Sequence, residues 1–176
     1  MLRSGVKHHD HLIEFYFPTP SPGNPKATEL FDGNRFSVTR QLRYSLANPG
    51  LALDLGLFVN GLPVATFELK NSLTKQTVAD AVRQYQNDRD HREKLFIKGR
   101  CLAHFALDDS EAMFCTHLQG KKSIFLPFNK GTDDGAGNPP NPNGIKTDYL
   151  WREVLTRHSF ADLHICLLYT SPSPRD

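Results

Sequence analysis

The chain has 176 residues, 39% hydrophobic and 23% charged, with a formal net charge of +2. A chain of that length forms one domain that buries about 70% of its unfolded surface, so a core is within reach without disulfides. No stretch of the sequence reads as a leader peptide or reaches the apolar length expected of a membrane span, and the small net charge argues against a passive, charge-driven nucleic-acid coat while leaving local basic patches open.

Lys7, His8, His9 and His11 open the chain without an acidic or cysteine partner at ligand spacing, so they read as a solvated edge or an artificial start rather than a metal site. Residues Leu12 to Pro18 are predicted to form a strand, ended by Pro18 and the proline-rich loop PTPSPGNP. From Asn34 to Ser45 the pattern alternates. Phe36, Val38, Arg40, Leu42 and Tyr44 share one face of a strand, and Arg35, Ser37, Thr39, Gln41 and Arg43 share the other. Arg35, Arg40 and Arg43 make either a soluble face or a set of phosphate contacts.

Two apolar runs between Leu51 and Lys70 then meet at Asn60-Gly61, a strong hairpin signal. Asp54, Glu68 and Lys70 interrupt a ribbon that is otherwise apolar enough to be buried, where an uncompensated charge costs several kcal/mol. A divalent cation between the two carboxylates would offset that cost. Glu68 and Lys70 share a face because they are two apart. A strict two-residue loop sets Asp54 opposite Phe67; a three-residue connection, Asn60-Gly61-Leu62 with a glycine-type bulge, sets it opposite Glu68 and is the expected form. The second strand is expected to start just after Pro63.

Val78, Ala81, Val82 and Tyr85 recur at helical spacing, with Asp80, Arg83, Gln84, Asn87 and Arg89 on the polar side and Thr74 as the expected cap. CLAHFALDD and EAMFCTHL are predicted strands around an Asp108-Asp109-Ser110 turn, and KSIFLPFN another. Asp108 and Asp109 are better read as turn formers than as metal ligands. GTDDGAGNPPNPNG is a long loop of the functional or mobile kind, and Lys146 to His158 forms an amphipathic helix with little in this chain to dock on. Cys101, Cys115 and Cys166 are odd in number and lack metal spacing, as expected of reduced thiols. Gly120-Lys121-Lys122-Ser123 lacks the preceding glycine of a phosphate-binding loop.

An aspartate, a hairpin and then Glu-x-Lys resembles the PD-(D/E)xK nuclease superfamily, with Leu53 where its name has proline. The longer stretches NRFSVTRQLRYS, LDLGLFVNGLPVATFELKN, DAVRQYQNDRD and FLPFNKG with GAGNPPNPNG resemble the amino-terminal nuclease region of the restriction (motor) subunit of type I restriction-modification enzymes, over roughly residues 5–164. The resemblance implies an α/β (α+β) restriction-endonuclease-like core, a mixed sheet flanked by helices. That core would occupy residues 1–164, and truncation is expected at both ends, since no helix precedes Leu12 and residues 165–176 look like translated adapter sequence.

It further implies a cytoplasmic, prokaryotic, magnesium-dependent endonuclease acting on double-stranded DNA beside specificity and methyltransferase subunits. ATP would be used only by a translocase outside these residues. Asp54, Glu68 and the Leu69 carbonyl would hold Mg2+, and Lys70 would orient water and balance charge. Beyond the basic residues above, Gln84 and Tyr85 are candidate DNA contacts. Tyr85 matches the tyrosine of the family's Gln-x-x-x-Tyr motif, Ala81 stands where its glutamine belongs, and Tyr85 reads equally well as core packing. Two rival readings stand beside the nuclease: a catalytically silent DNA-binding or docking module of the same fold, and a bare Asp54–Lys70 ion pair that fixes register. Another PD-(D/E)xK nuclease is a variant of the first.

Overall fold

The computed structural model describes residues 5–161. The expected tail, residues 165–176, and Cys166 lie outside them. At the amino end, β1 (Val6–His8) and β2 (His11–Ile13) form a small exposed antiparallel hairpin. The expected strand over Leu12–Pro18 therefore reaches only Ile13. Beyond it side-chain amides replace a ladder: Asn34 accepts from the Phe17 N–H at 3.1 Å and donates to the Phe17 carbonyl at 2.6 Å, and Asn60 donates to the Phe15 carbonyl at 2.8 Å.

A helix, α1 (Pro25–Asp32), follows directly after the proline-rich loop, in a stretch with no expected element. Its start has a local cause: Asn24 accepts the Ala27 N–H at 3.1 Å, and Pro25 occupies the first helical position, where its missing N–H costs nothing. A helix thus precedes the main sheet, although it follows Leu12, ahead of which none was expected.

That sheet has six strands in sequential order: β3 (Phe36–Arg43), β4 (Ala52–Val59), β5 (Leu62–Leu69), β6 (Ala103–Leu107), β7 (Ala112–Cys115) and the short β8 (Leu126–Pro127). Only β5 and β6 pair in parallel, because the chain between them crosses over through α2 (Val78–Arg83). The mixed sheet with helices against it is the α/β architecture expected. Leu53, Ala106 and Cys115 pack with Val78, Ala81 and Tyr85 of the helical segment on one face, while Ala65, Phe67, Phe105 and Leu107 pack with Tyr149 and Leu150 on the other. Cys101 and Cys115 are both buried free thiols.

The central hairpin differs from the expected three-residue connection. Asn60 (φ 50°) and Gly61 (φ 82°) form a two-residue loop with both residues in the left-handed region, and Val59 pairs with Leu62 and Phe58 with Pro63. The register then shifts by one, so that Leu57 pairs with Ala65 and Leu55 with Phe67. Val64 is the extra residue, and the pairing ends at Leu55 and Phe67, one position short of Asp54 and Glu68. Pro63 lies inside the strand instead of ahead of it. Having no N–H to give the ladder, it makes the adjacent position the least costly place for a bulge.

Two other expectations need correction. Thr77, not Thr74, caps α2, with the Asp80 carboxylate reaching back to the Thr77 N–H at 2.8 Å. The segment from Lys146 is a 3-10 turn (Lys146–Asp148) followed by a wide turn (Leu150–Val154) rather than one helix, and it does dock: Leu150 is buried and the Trp151 ring lies 5.7 Å from Phe67. The loop after Gly131 is tied down by buried Asn138, which holds the Lys130 N–H, the Ser110 carbonyl and Asn129.

Candidate active site

Thr66 and Glu68 on β5, and Lys70 just past its end, follow one another at two-residue spacing on the side toward α2. Thr66 is buried, with its hydroxyl 2.8 Å from the Tyr85 hydroxyl and 2.7 Å from His104 Nδ1. Glu68, at 0% exposure, is the first charge in that row, and half-exposed Lys70 sits where the row meets solvent. The Lys70 ammonium donates to Gln84 Oε1 at 2.6 Å, so the last turn of the helical segment fixes the amine. A polar cleft of about 400 Å³ opens beside them, between Lys70, Gln76, Asp80 and Asn87.

Asp54 lies alongside on β4. Its Oδ2 accepts the Leu69 N–H at 2.7 Å, and its Oδ1 has only a long contact, 3.3 Å, from the Gln41 amide. Glu68 Oε1 is held by Arg89 Nε at 2.7 Å and Nη2 at 2.6 Å, whereas Glu68 Oε2 is buried with no hydrogen-bond partner among the described residues. Burial pushes the Glu68 carboxyl up to about 7; Arg89 opposes that rise, Asp54 adds to it and Lys70 reduces it. Asp54 and Lys70 therefore both lie near enough to act on the charge of Glu68.

Arg89 is the member that periodicity misplaced. Helical spacing puts it on the solvated side, but the chain leaves the helix after Asp88, is extended at Arg89 (φ −105°, ψ 112°), and turns the guanidinium under the hairpin. There it also donates to the Ala52 carbonyl at 2.9 Å and to the Tyr44 hydroxyl at 3.4 Å. Its only signal in the sequence is its place just past the amphipathic stripe.

The candidate DNA contacts separate. Tyr85 is fully buried in the core and leaves the list, because its ring fills the space between α2 and the sheet. Ala81, on the glutamine position of the family motif, is equally buried, and Gln84 is the glutamine beside Lys70. Arg35, Arg40 and Arg43 stand exposed along edge strand β3. Asp108 and Asp109 serve the turn and its neighbours: Asp108 accepts the Ser110, Glu111 and Val78 N–H groups, and Asp109 accepts from Ser72.

Among the described residues no group of three or more histidine, cysteine or acidic side chains is disposed to hold a metal. A hard cation such as Mg2+ needs only one or two carboxylates because it keeps several waters. The buried Glu68 Oε2 that lacks a hydrogen-bond partner among the described residues, with the Asp54 carboxylate near enough to raise the Glu68 carboxyl, fits that requirement. A family model described as the type I restriction enzyme R protein N terminus matches residues 8–123, a span that contains Asp54, Glu68, Lys70, Gln84 and Arg89. No curated protein matches the chain.

Proposed function

Because the chain belongs to the type I restriction enzyme R protein N-terminus family, we propose that this nuclease-like region hydrolyses phosphodiester bonds of double-stranded DNA with Mg2+. Asp54, Glu68 and Lys70 carry the reaction. The observation that supports this reading best is Glu68 Oε2, a buried carboxylate oxygen left without a hydrogen bond next to a second acid. An orphaned oxygen of this kind costs a few kcal/mol unless something binds there.

Asp54, Glu68 and, by analogy with the family, the Leu69 carbonyl would hold the cation. Bound Mg2+ would acidify water and neutralise charge growing on the phosphate. The Lys70 ammonium, fixed by Gln84, orients the attacking water and screens the two acids from the incoming phosphate. The water oxygen bonds to phosphorus, the bond to the 3′ oxygen breaks, and that oxygen takes a proton, leaving 5′-phosphate and 3′-hydroxyl ends. Arg35, Arg40 and Arg43 would guide the duplex, specificity and methyltransferase subunits would supply recognition, and ATP would act outside these residues.

In a complete type I complex carrying this chain, Glu68→Ala and Lys70→Ala should each lower cleavage of unmethylated plasmid at least about 100-fold, a loss of about 2.7 kcal/mol of transition-state stabilisation. Cleavage at the normal rate by either variant would overturn the assignment. The silent-module reading is favoured by one observation, the Arg89–Glu68 ion pair, which neutralises Glu68 without a metal. Under that reading, titration with Mg2+ or Mn2+ gives no binding heat.

A further inference from the structure

Arginine forks usually engage a carboxylate through both oxygens. At Glu68 the fork meets one oxygen: Nε donates to Oε1 at 2.7 Å, Nη2 lies 2.6 Å from the same atom, and Oε2 has no hydrogen-bond partner among the described residues. The guanidinium cannot slide over to share itself out. It is anchored to the Ala52 carbonyl at 2.9 Å, to the Tyr44 hydroxyl at 3.4 Å, and over the Tyr44 ring at 5.7 Å. Asp54 is constrained in the same sense, since its Oδ2 is taken by the Leu69 N–H at 2.7 Å. Each acid therefore has one oxygen to offer.

We propose that Arg89 is a positioning residue that sets the ion selectivity of the site: by occupying Glu68 Oε1 it confines that carboxylate to one-oxygen coordination. This rests on the cation-site reading of Asp54 and Glu68 given above. One-oxygen carboxylates suit Mg2+ and Mn2+, which are small, six-coordinate and keep their waters. Ca2+ takes six to eight oxygens and gains from carboxylates that bind through both. Arg89 thus selects against Ca2+ by withholding an oxygen, a separate role from its neutralisation of Glu68.

The test is calorimetric titration of the full 176-residue chain with Mn2+, Mg2+ and Ca2+, without DNA or turnover. The original chain should prefer Mg2+ and Mn2+ to Ca2+. Arg89→Met frees Oε1 and should move the Ca2+/Mg2+ affinity ratio toward Ca2+ at least about tenfold. Arg89→Lys replaces the planar fork by a single ammonium nitrogen that lacks the Nε contact to Oε1, so Oε1 is held less firmly and the ratio should move at least about threefold, and this variant serves as the readout if the Met variant does not fold. A ratio unchanged in a folded Arg89→Met, or unchanged in Arg89→Lys where only that variant folds, overturns the selectivity role and leaves the cation site standing. No binding of any of the three ions by the original chain overturns both.

Discussion

Gln84 Oε1 accepts a hydrogen bond from Lys70 Nζ at 2.6 Å, linking the helical segment to the end of β5. Hydrogen bonds to charged groups contribute about 1.5–3 kcal/mol, and this one fixes where the ammonium points. Gln84→Ala should therefore slow DNA cleavage about tenfold or more while shifting the melting temperature little, since Gln84 is only half-buried. Single-turnover cleavage together with a thermal melt checks this. An unchanged rate means that Lys70 needs no such guide.

Asp54→Asn separates holding the fold from holding the ion. The amide oxygen of asparagine can still accept the Leu69 N–H that Asp54 Oδ2 accepts at 2.7 Å, so stability should change by less than about 1 kcal/mol. The lost charge should nonetheless abolish Mn2+ binding and reduce cleavage at least about 100-fold. A variant that unfolds, or one that binds Mn2+ as before, contradicts this.

Glu68 makes the cation-free chain pH-sensitive. Its folded carboxyl titrates at about 7 against an ordinary 4.5, raised chiefly by burial. The folded state then holds more protons than the unfolded one between those values, so stability is full below about pH 4.5 and declines as pH rises through about 7. Urea midpoints without divalent ions should fall from pH 5 to pH 8 more steeply in the original chain than in Glu68→Gln. Added Mn2+ should flatten the difference. Equal slopes in the two proteins would refute the assignment.

Tyr85 should behave as a core residue. Tyr85→Phe removes the hydroxyl 2.8 Å from Thr66 and should cost about 1 kcal/mol, whereas Tyr85→Ala leaves a cavity and should cost about 3–5 kcal/mol. DNA affinity of the folded Phe variant should equal that of the original chain in filter or anisotropy titrations. A clear loss of affinity would return the ring to the DNA surface.

That the hairpin carries one residue outside its pairing was legible, because an odd number of residues, thirteen, separates Asp54 from Glu68. Which residue that would be was not legible. The glycine turn suggested one at the tip, and Val64 is the answer because Pro63 had already cost the ladder a donor. Helix α1 was announced by Asn24-Pro25 at its start and Gly33 after its end, signals obscured by the proline-rich loop before them. Arg89 could not be found by counting 3.6 residues per turn, since its position depends on the helix ending one residue earlier. Gln84 and Tyr85 are adjacent and both polar-tipped, and only packing decides that one meets Lys70 and the other the core.

The two enclosed thiols give the molecule a built-in reporter of opening. Cys101 is so deeply enclosed that its thiol is pushed up to about 12, and Cys115 is shifted in the same direction, so neither presents a thiolate to alkylating reagents near neutral pH. Modification at either sulfur must wait for the sheet around β6 and β7 to come apart. The labelling rate at these two positions, followed by mass spectrometry, therefore measures how often the scaffold beneath the acidic pair breathes, with no probe attached.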